Sequence, residues 1–141
     1  MKKRQLITDF INSIITQDRI YGENDCNLIA CKIIDIMKGT SLYDSLHGKY
    51  DSIADGLKKS TELSGYRNIL EPIKKYCVLV EDGALKDNDL LLTEHKLGNR
   101  KYFSVTPYFN GYGLVADDDV WMPKQIDEIN FTSVYRFKED E

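Results

Sequence analysis

The sequence predicts an α+β fold, with helices first and antiparallel strands after them. Two observations carry this reading. Up to about residue 75 the apolar residues recur at helical spacing, and beyond it they fall in short runs between polar turns. The chain also holds only three prolines, and no repeat, low-complexity stretch or linker divides it. Residues 1–141 therefore read as one domain built from both element types.

The first helix is expected over Lys3 to Gln17, where Leu6, Ile7, Phe10, Ile11, Ile14 and Ile15 form one broad apolar stripe. A polar turn follows through Asp18 and Gly22. The second helix starts at Asn24 or Asp25, either of which can cap it, and runs to Lys38, with Gly39 as its C-terminal stop. Ile29, Ile33, Ile36 and Met37 would form its buried face. Two shorter helices are expected, one over Ser52 to Leu63 ending at Gly65, and one over Tyr66 to Tyr76 that Pro72 bends or begins. The strands are Cys77 to Val80, Tyr102 to Thr106, Gly113 to Ala116 and Thr132 to Phe137. Leu90 to Thr93, a continuous apolar run, suits a buried central strand.

Composition narrows the functions. Hydrophobic residues make up 42% of the chain, enough for a core, and charged residues make up 30%. Nineteen basic residues stand against 23 acidic ones, a net charge of −4. General nucleic-acid binding needs a basic face that displaces counterions, so that class is not expected. No run approaches the roughly 20 apolar residues of a membrane span. Met1-Lys2-Lys3-Arg4 resembles the basic start of a signal peptide, but Asp9, Asn12, Ser13, Gln17 and Asp18 interrupt the apolar stretch that should follow. Three cysteines (Cys26, Cys31 and Cys77), no CxxC pair and two distant histidines predict free thiols in a reducing compartment. Neither a metal nor any other cofactor is called for.

The segment Tyr21-Gly22-Glu23-Asn24-Asp25-Cys26-Asn27 carries the chemistry. A glycine turn leads into a capped helix, and Cys26 lies in the first turn. Unpaired N–H groups and the positive end of the helix dipole meet there, and both favour thiolate. A cysteine so placed can serve as a nucleophile. Cys26 also shares the apolar face of Ile29 and Ile33, and on spacing alone a buried packing cysteine is the favoured reading.

Tyr21 to Gly39 is similar to the aromatic-Gly-x-x-Asp-Cys helix of a small papain-like family of unknown function. That family is frequent in tailed-phage genomes and related to the NlpC-type peptidoglycan hydrolases. The likeness continues through Gly39-Thr40-Ser41-Leu42-Tyr43 and through His47-Gly48-Lys49-Tyr50, where the family usually reads Arg-Gly-x-Tyr. It goes on to Gly65, to Asn88-Asp89-Leu90-Leu91-Leu92, to Trp121 and to the strand around Tyr135. The resemblance implies a papain-like NlpC-type fold, with N-terminal helices packed on a small antiparallel sheet. It also implies a protein made in the host cytoplasm and incorporated in the virion, with other virion or tail proteins, and peptidoglycan, as partners.

One departure decides the expected activity. The hydrolases carry their general base as His-Val-Gly-Ile on the strand after Gly-Asp, and the corresponding stretch here is Tyr102-Phe103-Ser104-Val105. Tyr102 stands at the histidine's place, and a phenol that ionises near pH ~10 is a poor base for a thiol. The third polar residue has only Asp117 and Asp118 as nearby choices. His95 could form an unusual pair with Cys26 if the sheet brings it close. His47 reads as a structural hydrogen-bonding residue. The expected function is a phage virion or tail-associated structural module on a relic cysteine-hydrolase scaffold. Two competitors stand beside it: an active cysteine peptidase or amidase acting on peptidoglycan, and a module that binds peptide or glycan in the relic groove. Asp117-Asp118-Asp119 reads as a solvated turn rather than a cation loop. The aromatics around Pro107 read as sheet core or a contact surface, and Glu139-Asp140-Glu141 as a frayed end.

Overall fold

A computed structural model describes residues 2–139. Among these residues five α-helices and one short 3-10 helix (Ile126–Glu128) precede or flank a six-stranded sheet. The helices are α1 (Lys3–Ile14), α2 (Cys26–Lys38), α3 (Leu42–Leu46), α4 (Ile53–Ser64) and α5 (Leu70–Tyr76). The strands are β1 (Cys77–Leu79), β2 (Leu90–Leu97), β3 (Arg100–Phe109), β4 (Tyr112–Asp117), β5 (Val120–Gln125) and β6 (Ser133–Phe137). They lie in the order β1-β6-β2-β3-β4-β5, every neighbouring pair antiparallel. The α+β arrangement of N-terminal helices packed on a C-terminal antiparallel sheet is thus present.

The differences from expectation are local and have causes. α1 stops at Ile14, because Thr16 turns to a positive φ of 77° and its N–H bonds to the Trp121 carbonyl instead. α5 begins at Leu70, with Pro72 in its first turn, where a missing N–H is harmless. α3, which no local sequence signal announces, is a single turn held from outside. The Asp35 carboxylate accepts the N–H groups of Leu42 and Tyr43 at 2.9 Å each and the hydroxyl of Thr40. β5 was also not expected. It pairs with β4 on one side and with the segment after α1 on the other, through Asp18 opposite Val120 and the Trp121 N–H donating to Gln17 O at 2.9 Å.

α2 forms the centre of the core. Leu28, Ile29, Ala30, Cys31, Ile33 and Ile34 are buried along it, a wider arc than a single stripe, while Ile36 and Met37 are only partly covered. α1 supplies Ile7, Ile11 and Ile14, and the sheet supplies Leu90, Leu92, Val105, Leu114 and Trp121. Full burial of each large aliphatic chain is worth about 1.5–3 kcal/mol. β2 is the central strand, and Asp89 anchors its start. This carboxylate, fully shielded from solvent, takes two hydrogen bonds from Arg136 of β6, at 2.9 and 2.8 Å, and one from the Lys86 N–H at 2.9 Å.

The sheet opens between β3 and β4, and Pro107 explains why. β3 pairs with β2 along eight residues but with β4 only at Tyr108 and Phe109. The next residue outward, Pro107, would have to donate an N–H toward β4, and proline has none. Pairing stops there, the strands diverge, and the N-terminal end of α2 faces β3 in the gap.

Candidate functional site

The Cys26 position is set by a corner of four residues. Asp25 caps α2, its Oδ1 accepting the Leu28 N–H at 3.0 Å. Its Oδ2 accepts the Gly22 N–H at 2.8 Å and the Tyr50 hydroxyl at 2.5 Å. The Gly22 carbonyl in turn accepts the Gly48 N–H at 2.7 Å. Gly22 has a φ of 85°, and a Cβ there would stand 1.7 Å from the Tyr50 carbonyl oxygen. The glycine, aspartate and tyrosine of the two sequence motifs are therefore one packed corner. Trp121 adds a strut, its indole N–H donating to Asn24 O at 2.9 Å.

This corner points Cys26 into the gap beside β3. The thiol is half-buried and makes a long contact to Asn27 Oδ1 at 3.7 Å. It meets the backbone of Val105 and the side chain of Ser104. The strand register explains the Val105 contact. Residues of β3 at even positions bond to β2, so the odd-numbered Val105 turns its N–H the other way, to the side β4 has vacated. Burial pushes the Cys26 thiol up to about 11, and the Asp25 charge adds to that; the Val105 backbone, Arg19 and Ser104 pull the other way. Burial, with Asp35 next, also raises Cys31 strongly, and burial pushes Cys77 up to about 12. All three cysteines are free.

His95 and Tyr102 both line the same cleft as Cys26. They are cross-strand partners, and their rings stack at 4.9 Å with an angle of 19° between planes. Tyr102 stands two pairs along β3 from Ser104, a residue that no sequence motif marks. Ser104 links the two halves of the site: its Oγ is 2.8 Å from His95 Nε2, and it also meets the Cys26 thiol. A signal for this was present. Leu97-Gly98-Asn99-Arg100 is a two-residue hairpin, and that loop length fixes His95 opposite Tyr102 and Thr93 opposite Ser104.

The other expected residues lie elsewhere. His47 ends α3, stacks on Tyr43 at 4.8 Å and stands 3.3 Å from Glu23, outside the cleft. Asp117, Asp118 and Asp119 make the β4–β5 turn, where Asp118 and Asp119 have positive φ and Asp119 pairs with Arg19. No cluster of His, Cys, Asp or Glu suited to a metal occurs among the described residues. The expectation of a frayed end at Asp140 and Glu141 lies outside them.

The cleft encloses about 570 Å³. Besides Cys26, Ser104 and His95, its polar groups include Asn27, Thr93 and Asn130; its apolar walls include Leu57, Phe103 and Ile129. The N–H groups of Cys26 and Asn27, first in α2, find no acceptor among the described residues and can receive a developing negative charge. No helix of the described residues is long and apolar enough to cross a membrane. No protein-family model, curated protein or solved structure matches this chain.

Proposed function

We propose that the chain is a papain-like domain related to the NlpC-type peptidoglycan hydrolases that has given up hydrolysis. On this reading it serves as a structural or assembly module of a tailed-phage particle, made in the host cytoplasm, with other virion or tail proteins as partners. The observation that carries the loss of hydrolysis is what faces Cys26. A serine hydroxyl and a backbone N–H lie against the thiol, no imidazole touches it, and burial with the Asp25 charge pushes its pKa up to about 11. The NlpC-type scaffold is supported by a capped helix led by cysteine, placed against an antiparallel sheet. The phage context rests on the motif likeness alone.

Two measurements test the reading. The wild-type protein and Cys26→Ala are incubated with purified bacterial cell walls, and turbidity is followed. Equal and negligible clearing is the expected result; clearing by the wild type that Cys26→Ala abolishes establishes an active peptidase or amidase instead. Immunodetection of the chain in purified phage particles tests the context, and its absence from particles removes the assembly role.

A further inference from the structure

The two edges of the sheet are finished differently. β5 carries Pro123 and is covered by the segment after α1, which bonds to it through Thr16 and Gln17. β1 has neither protection. Its register with β6 turns the backbone groups of Val78 and Val80 inward, the Val80 N–H donating to Val134 O at 2.8 Å. Cys77 and Leu79 therefore direct theirs outward. The Cys77 N–H is already bonded to Ile73 O, but the N–H groups of Leu79 and Glu81 find no acceptor among the described residues. The side chains of Val78 and Leu79 are apolar and stand 49% and 50% exposed. We infer that β1 is a self-association edge, which takes β1 of a second copy of this chain as its antiparallel neighbour across a twofold axis.

The charges on either side of the strand select this occupant. The run reads Lys74-Lys75-Tyr76-Cys77-Val78-Leu79-Val80-Glu81-Asp82, basic before the strand and acidic after it. Set antiparallel, two such runs bring the lysines of each copy to the carboxylates of the other. Set parallel, they bring like charges together. Lys74 and Glu81 are exposed, and neither has an ion pair or hydrogen bond among the described residues. The available donors fix the register. With the axis at Leu79, its N–H donates to Leu79 O of the second copy, and the Glu81 N–H donates to Cys77 O of the second copy; each bond recurs by symmetry. An axis at Val78 would call on the Cys77 N–H, which α5 already holds. In the Leu79 register the two Leu79 side chains cover each other on one face, and Val78 meets Val80 of the second copy on the other. The pairing consumes both free edges and closes, so it yields a dimer and not a fibre. About five residues a side fall short of the roughly 800 Å² per partner of a standard interface, so the dimer is a weak one. The inference goes beyond the assembly reading and does not rest on it.

The test is sedimentation equilibrium of the full chain from ~5 to ~500 µM, at ~50 mM and ~500 mM salt. The expected result is a reversible monomer–dimer equilibrium that weakens in high salt. Leu79→Pro removes the outward N–H, leaves the bonds to β6 in place and should weaken the dimer by about 10-fold or more. Melts followed by Trp121 fluorescence report whether this variant is folded, and a second pair of variants does not depend on it. Lys74→Glu alone and Glu81→Lys alone each set like charges at both ends of the pairing, and each should weaken self-association by about 10-fold. Mixed together, they restore opposite charges at both ends and should associate about as tightly as the wild type. A chain monomeric at every concentration overturns the inference. So does a dimer that folded Leu79→Pro leaves as tight as the wild type, or a pair of charge variants that associate no better mixed than apart. Absence of the chain from phage particles would remove the assembly role and leave the dimer standing, so the two failures are distinguishable.

Discussion

Replacing Asp25 separates the mechanical role of the site from its electrostatic one. The carboxylate is 4% exposed and accepts from three donors: the Leu28 N–H, the Gly22 N–H and the Tyr50 hydroxyl. Asp25→Ala removes the helix cap, at about 1 kcal/mol. It also strands two more donors, the Gly22 N–H being buried and the Tyr50 hydroxyl partly so, at about 1–3 kcal/mol for each buried group. The sum is about 3–7 kcal/mol, a large share of the ~5–15 kcal/mol that holds a domain folded. At about 2–4 °C per kcal/mol for chains of this size, the melting point should fall by roughly 10 °C. Asp25→Asn keeps an oxygen for the cap, turns an amide toward Gly22 and should cost about 1–2 kcal/mol. Both variants remove the negative charge beside the thiol, which together with burial raises its pKa, so the alkylation midpoint of Cys26 should fall below that of the wild type. Urea unfolding followed by the fluorescence of the single tryptophan, buried Trp121, gives the stabilities; iodoacetamide rates against pH give the midpoint. Asp25→Ala with a loss under about 1 kcal/mol would refute the corner as a support. An unmoved Cys26 midpoint in Asp25→Asn would refute the electrostatic half.

Gly22→Ala places a methyl group 1.7 Å from a backbone oxygen at a φ of 85°; a loss of about 4 kcal/mol or more, or no soluble protein, is expected in expression and melting trials. Asp89→Ala leaves the Arg136 guanidinium without its bidentate partner at the start of β2. Because Arg136 is 28% exposed and can turn to water, the loss should sit near ~3 kcal/mol, the low end for a broken buried pair, in urea unfolding. Stability should also fall at alkaline pH. Cys31 and Cys77 are raised in the folded state by burial from an ordinary 9.0, so the unfolded chain loses protons first. Their contribution is intact below pH 9.0 and declines as pH rises toward the folded values, by up to about 1.4 kcal/mol per pH unit for each thiol. Unfolding under reducing conditions at pH 8 and 10.5 checks this, and a midpoint that rises with pH contradicts it.

What the sequence disclosed divides along a physical line. α2 was legible at both ends because its signals are local: Asp25 reaches its own helix and Gly39 supplies a φ of 71°. Gly65 closes α4 in the same way, with a φ of 83°. α3 was not legible, since its single turn is held by Asp35 on another helix. β5 escaped because Met122 and Pro123 do not read as a strand; its proline sits at the sheet edge, and its outer partner is the segment after α1. For the site, Cys26 carried a motif and His95 and Tyr102 were conspicuous by type. Ser104 had neither advantage, and it emerges only when the Gly98-Asn99 turn is used to set the register of β2 against β3.

The motif and the chemistry at Cys26 are set by different parts of the chain, and this bears on what the motif can be taken to mean. Gly22, Asp25, Gly48 and Tyr50 engage one another through backbone and buried side-chain bonds that do not pass through the sulfur. They aim whatever side chain stands at position 26 into the gap beside β3. What that side chain meets is decided by β2 and β3, by the break that Pro107 makes in pairing with β4, and by which residues the Gly98-Asn99 hairpin brings to the gap. The corner is therefore equally compatible with a nucleophile, a latent thiol or a packing cysteine. What the thiol meets there is Ser104 and Val105 of β3, residues that lie far along the chain from the motif and that the motif does not constrain.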